Sequence, residues 1–226
     1  MLVVEGLNGI RITPKKVASV IKSLDPSKAT GPDGIPVVVL QRCCPELAPV
    51  LSKLFRKLLS QSCFPSSWKI PNVIAAFKNS GDRSNSGNYR PISLLPIISK
   101  VFESLMASSI IRHMDSLNLF SDCQYGFRSS RSTADVLTVI NERLSRALEA
   151  GGQGRAVALD ISKAFDKVWH AGLLHKLRGY GISGHLLDLI KSFLSNRQLK
   201  VVLDGQQSSC YSINVDVPLG LSLIHI

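Results

Sequence analysis

The sequence has few cysteines, only five, at positions 43, 44, 63, 123 and 210, and none forms a CxxC pair. An odd, scattered set with no histidine at zinc-finger spacing excludes a structural zinc finger. It leaves free thiols in a reducing compartment as the expectation. Long apolar runs are also missing: IPVVVL (35–40) is among the longest, far below the roughly 18 residues of a membrane span. MLVVEGLNGIRI lacks the basic start and apolar stretch of a signal peptide, so an intracellular protein of the cytoplasm or nucleus, with no membrane attachment, is expected. There is no internal repeat, no low-complexity tract and no Asp-Asp dipeptide. The glycine-bearing KATGPDGIP (28–36) is not a Walker loop, because no GK[ST] follows.

What is present is a globular chain with a strong charge bias. Its 226 residues are 45% hydrophobic and 19% charged, with a net charge of +11, which permits a substantial core and argues against disorder. The bias is uneven. Residues 1–113 carry 15 Lys/Arg against 6 Asp/Glu, and residues 114–226 carry 12 against 10. A basic front half suits a polyanionic partner, and nucleic acid is the commonest.

Local patterns predict helices interleaved with hairpins. Thr13 caps a helix with Pro14 at its first position and Val17, Val20, Ile21 and Leu24 on one stripe. DPSKATGPDGIP (25–36), with three prolines and two glycines, is turn chemistry. PELAPVLSKLFRKLLSQ predicts an amphipathic helix with Leu47, Val50, Leu51, Leu54 and Leu58 inward and Lys53, Arg56 and Lys57 mostly outward. A strand over 68–77, broken early by Pro71, leads to a polar hairpin tip at 78–90, where Gly81 and Gly87 are expected to supply positive φ. Long helices are expected around 96–118 and 132–150, the second capped by Ser132, with Val136, Leu137, Ile140, Leu144, Ala147 and Leu148 on its apolar face. RAVALDI (155–161) predicts a short buried strand. Helices near 170–178 and 184–195 and a closing hairpin, RQLKVVLDG then CYSINVDV, complete an α+β fold.

Three side chains carry candidate chemistry. Asp160 ends an apolar strand, where a carboxylate serves either as a rigidly held metal ligand or as a helix cap. Arg90 in NYRPISLL (88–95) leaves the polar hairpin, and a guanidinium grips phosphate through two parallel hydrogen bonds. Lys78 stands at the other end of that hairpin, as a phosphate contact or a merely solvated cation. An aspartate-nucleophile phosphatase is disfavoured, since Ser162 replaces the acid such sites want two residues after the first.

Four blocks, in order, resemble one family: KATGPDGIP, NYRPISLLPIISKVFE, QYGFRSSRSTAD and AVALDISKAFDKVWH. They are similar to the reverse transcriptase domain of non-long-terminal-repeat (LINE-type, Jockey-like) retrotransposons, and the resemblance covers about residues 13–220. It implies a right-hand polymerase fold with fingers, an incomplete palm and no thumb. The whole of 1–226 would be one incomplete domain, with about 13–120 mainly fingers and about 121–226 partial palm with interleaved fingers elements. It implies an RNA-directed DNA polymerase acting on an RNA template, a DNA primer and deoxynucleoside triphosphates, with two Mg²⁺ ions.

By the same resemblance, Asp160 would be the catalytic metal ligand and the Ile161 carbonyl a further ligand. Phe165 would stack beneath the nucleotide sugar and exclude a 2′-hydroxyl; Asp166 also matches the family pattern, but a structural role is expected for it, capping the helix that begins near Lys167. Arg90 and Lys78 would hold the triphosphate, and Lys28 would contact RNA phosphates. Gly126 would permit close backbone approach and Phe127 would be core. Arg128 would touch either phosphate or an acid.

The sequence also departs from the family. VPLGLSLIHI stands where VPQG is usual, so Leu219 replaces a pocket Gln while Pro218 and Gly220 remain, and Gly220 is carried over to the substrate pocket. The last six residues lose the resemblance, which suggests a truncated or frame-shifted end. The paired Asp-Asp of the second catalytic block does not occur. These residues alone are therefore not expected to polymerise DNA. A non-catalytic nucleic-acid-binding remnant is the alternative.

Overall fold

The computed structural model describes residues 6–161, 164 and 167–213. Helix α1 (Pro14–Ser23) begins as the sequence predicts: the Thr13 hydroxyl accepts from the Lys16 amide at 3.3 Å, and Val17 and Ile21 are fully buried. The turn-rich 25–36 segment has no regular structure and leads into a short helix, α2 (Val37–Arg42), that its three consecutive valines did not announce. These β-branched residues are weak helix formers, and burial of Val37 and Leu40 outweighs that preference.

Helix α3 (Cys44–Ser60) is rotated from the expected stripe. Cys44, Ala48, Leu51, Phe55, Leu58 and Leu59 face inward, while Val50 and Leu54 are exposed. The large ring of Phe55, fully buried and packed on Phe102 and Trp68, favours this orientation.

Strand β1 (Asn72–Phe77) starts directly after Pro71, and pairs antiparallel with β2 (Tyr89–Leu94). At the tip Gly81 has φ +81°, but the second left-handed residue is Asn79 (φ 60°), not Gly87. Asn tolerates that region because its short side chain bonds locally. Helix α4 (Ile97–Ser116) follows and is the spine of the core. Phe102 on α4 lies flat against Phe55 (centroids 4.8 Å, planes at 14°), with Phe64, Trp68 and Phe193 completing the cluster.

Helices α6 (His170–Gly179) and α7 (Gly184–Leu194) pack on this core through Leu177, Leu186, Leu187, Leu189, Ile190 and Phe193. The final strands join the first hairpin instead of standing apart. Strand β3 (Arg197–Leu203) runs parallel to β1, with Asn72 opposite Lys200, giving the order β2-β1-β3-β4 with β4 at Gln206–Gln207. Strand β5 (Tyr211–Ile213) pairs with β3. The mixed helix-and-sheet class expected from the sequence is therefore found.

Two expectations fail in the second half. Helix α5 (Thr133–Glu149) forms with its full capping box, Ser132 and Asp135 bonding reciprocally, yet none of its residues is buried. RAVALDI is not a strand: residues 155–161 lie exposed, with Val157 at 84% and Leu159 at 92% accessibility. A strand needs a neighbour for its backbone hydrogen bonds, and no described strand pairs with this segment.

Glycine matters most at Gly31. A Cβ there would overlap the Leu95 carbonyl and come within 2.8 Å of the Pro96 nitrogen. Backbone, unlike a flexible side chain, cannot swing aside. Gly31→Ala is expected to destabilise the protein by about 1–3 kcal/mol, read as a lowered urea midpoint; an unchanged midpoint would refute the contact.

Candidate functional site

The β1–β2 hairpin is the best-formed part of the candidate site. Its tip is self-supporting. The Asn88 amide donates to the Asp82 carbonyl (2.7 Å), the Tyr89 hydroxyl donates to the Arg83 carbonyl (2.9 Å), and Arg83 lies over the Phe77 ring. Hydrogen bonds from the Ser84 hydroxyl and amide hold the Asp82 carboxyl below its usual range. Lys78 closes the hairpin: its amide bonds the Asn88 carbonyl and its ammonium the Gly87 carbonyl (2.7 Å). Arg90 sits opposite Ala76, exposed, its side chain making no hydrogen bond or ion pair with a described residue.

Strand alternation places Arg90 on the same sheet face as Ile74, Ile92 and Lys200, since Ala76 and Asn72 are their partners' neighbours in register. That face runs down to a hollow of about 440 Å³ lined by Pro32, Asp33, Trp68, Pro96, Lys200 and Gln207 among others. Sequence reasoning missed Lys200. Only the parallel β1–β3 pairing brings it beside the hairpin, and no local signal announces a pairing between segments so far apart.

The other candidates are dispersed. Lys28 is exposed, 3.7 Å from Asp25, whose carboxyl is lowered mainly by bonds from Ser27. Arg128 lies 3.7 Å from Asp115 and over the Phe120 ring. Phe127 is not core: it is 63% exposed at φ 58°. No described atom would lie within 4 Å of a Cβ at Gly126, so the close backbone approach within the fold is at Gly31 instead.

Asp160 and Ile161 are exposed, and no hydrogen bond or ion pair joins Asp160 to a described residue. A cap by Asp160 would act on residues 162 and 163. These, with Phe165, Asp166 and Gly220, lie outside the described residues.

Several charged groups are buried away from the hairpin tip's solvent-exposed residues. Glu103, on α4, accepts from the Ser99 hydroxyl at 2.5 Å, and desolvation pushes its carboxyl up to about 7 against the pull of Ser99, Arg197 and Lys100. Desolvation likewise lowers the Lys69 and Lys100 ammonium groups. Arg197 is 1% exposed, donates to the Phe193 carbonyl (3.1 Å) and lies over that ring.

Comparison with known proteins decides the family. The model of the family "Reverse transcriptase (RNA-dependent DNA polymerase)" matches residues 78–223. The chain belongs to the reverse transcriptase family. The probable RNA-directed DNA polymerase from transposon X-element of Drosophila melanogaster is 31% identical over 92% of the chain. The RNA-directed DNA polymerase from mobile element jockey of the same fly is also 31% identical over 92%, and the probable polymerase from its transposon BS 28%. The chain spans about a quarter of the length of these curated relatives, 23% of each. The Jockey-like resemblance read from the four blocks thus holds.

Reverse transcriptases use divalent metal ions. No group of three or more His, Cys, Asp or Glu among them could hold a metal ion. Asp160 is exposed and would by itself bring a single negative charge to divalent cations. The described residues do not by themselves fit such a site. Among them, too, no helix is long and apolar enough to cross a membrane.

Proposed function

We propose that this chain is part of a retrotransposon RNA-directed DNA polymerase, supplying the fingers hairpin and the first portion of the palm, with an RNA template, a DNA primer and deoxynucleoside triphosphates as its partners. On this reading residues up to about 120 are mainly fingers. The family match, together with curated relatives that are themselves RNA-directed DNA polymerases, supports the assignment. The observation that carries it is the self-supported hairpin, which holds Arg90 and Lys78 at the start of the matched region.

The hairpin's role is to bind and orient the nucleotide. A triphosphate needs several cations, and Arg90 offers a planar fork for two phosphate oxygens. Lys78, already bonded to the Gly87 carbonyl, would add a point charge at the neighbouring position. Asp160 and the Ile161 carbonyl would be this chain's share of a magnesium site whose remaining ligands are not among the described residues. Phe165 would guard against a 2′-hydroxyl and Gly220 would line the nucleotide pocket.

The test uses primer extension on an RNA template by a longer retrotransposon polypeptide that contains these residues. Arg90→Ala should remove a charge-assisted hydrogen bond of about 1.5–3 kcal/mol. That predicts a fall in kcat/KM of roughly 10- to 100-fold, with nucleotide KM raised. Unaltered nucleotide kinetics would refute the role of Arg90, and absence of any extension by the unsubstituted polypeptide would refute the polymerase reading.

A further inference from the structure

A second basic feature lies away from the hairpin. The segment before α1 and the outer face of α4 enclose two adjoining hollows of about 150 and 320 Å³. Both are lined by Arg11, Lys16, Arg112 and Ser109, and the larger also by His113. Among the described residues, no acid lines either hollow. The nearest carboxylate on this stretch of α4, Asp115, is engaged by Arg128.

Lys16 and the helix beneath it are held in place. The Lys16 ammonium donates to the Arg11 carbonyl at 3.0 Å, which keeps its charge over the groove. His113 Nε2 donates to the Tyr180 carbonyl at 2.8 Å and pins α4 beneath. The side chains of Arg11 and Arg112 make no ion pair or hydrogen bond with a described residue. Two guanidinium groups and an ammonium, brought together along these hollows with no acid among the described lining residues, make a site that lowers its own repulsion by taking on phosphates.

We infer that this groove is a binding track for the phosphodiester backbone of a nucleic-acid strand, separate from the nucleotide-holding hairpin. The separation follows from α4 itself. Ile97 adjoins the end of β2, and Arg112 lies 15 residues further on, about 22 Å along the helix axis at 1.5 Å per residue. An extended polyanion fits better than a single small phosphate, because both hollows are open and follow one another along the helix. A lipid surface fits poorly, since none of the chain's exposed large apolar side chains lies between residues 6 and 20 or 105 and 116. The track stands on this geometry whether or not the chain polymerises DNA.

The experiment measures binding of labelled single-stranded RNA to the chain across a range of KCl concentrations. Each phosphate contact contributes about 0.7 to the slope of log affinity against log salt. R11Q/K16Q/R112Q should therefore make the slope shallower by about 2. K53Q/K57Q/R143Q removes the same charge from exposed positions elsewhere and should change it far less. An unchanged slope in the groove variant, or equal changes in both variants, would overturn the track in favour of diffuse attraction. Should the groove variant fail to fold, ultraviolet crosslinking of the unsubstituted chain to the same RNA decides. Crosslinked peptides from 10–20 and 105–116 support the track; crosslinks confined to other segments overturn it. Loss of the track leaves the primer-extension result untouched, so the two readings fail separately.

Discussion

Phe102→Ala is expected to destabilise the protein by about 4 kcal/mol, the middle of the range for emptying a buried aromatic site. Phe102 is fully buried and stacked on Phe55 at 4.8 Å, with Phe64 and Trp68 at 6.2 and 6.4 Å. Its removal leaves a cavity bounded by other rigid rings, which collapse poorly around a void. Against a total stability of roughly 5–15 kcal/mol, that is a large share. Urea unfolding should show a much lower midpoint at an unchanged slope. Phe102→Leu, which refills most of the volume, should recover much of the loss. A loss of unfolding free energy of under about 1 kcal/mol for the alanine variant would show that the cluster is not the keystone of the core.

The second large effect is a pH dependence set by Glu103. Its carboxyl lies at about 7 in the folded chain, against an ordinary value of 4.5, because burial disfavours the anion more than Ser99, Arg197 and Lys100 favour it. Between those values the folded chain binds the proton more tightly than the unfolded one. The contribution is fully present below about pH 4.5 and is lost as pH rises through about 7, a swing of about 3 kcal/mol. The uncharged variant Glu103→Gln keeps an oxygen for the Ser99 hydroxyl but cannot ionise. It should match the parent at low pH and exceed it in stability above neutrality. Unfolding midpoints taken from pH 4.5 to 8 check this, and parallel curves for the two proteins would refute it.

Local chemistry was legible where it acts within one or two turns of chain. The Thr13 and Ser132 caps, the break at Pro71, the irregular 25–36 loop and the span of α4 all follow from nearest neighbours. The inward face of α3 was misjudged because the leucine count outweighed Phe55, whose partners Phe102 and Trp68 are distant in sequence. The β1–β3 pairing, and with it Lys200 beside the hairpin, depends on a long closure that leaves no periodic mark. RAVALDI has the composition of a buried strand but finds no described partner, so composition alone misled. For the site, Arg90 and Lys78 were found through their hairpin, while the groove of Arg11, Lys16 and Arg112 joins residues about a hundred positions apart.

The parallel register of Asn72 with Lys200 has a bearing on how the protein is made. On a ribosome adding about 5–20 residues per second, the first hairpin waits roughly ten seconds before its partner strand emerges. During that interval the β1 edge and the face of Phe64 that Phe193 will cover stand open to solvent and to neighbouring chains. Slow closure of so distant a pair follows from loop entropy. Yield in cells should accordingly depend on chaperone supply and growth temperature more than the helical content would suggest.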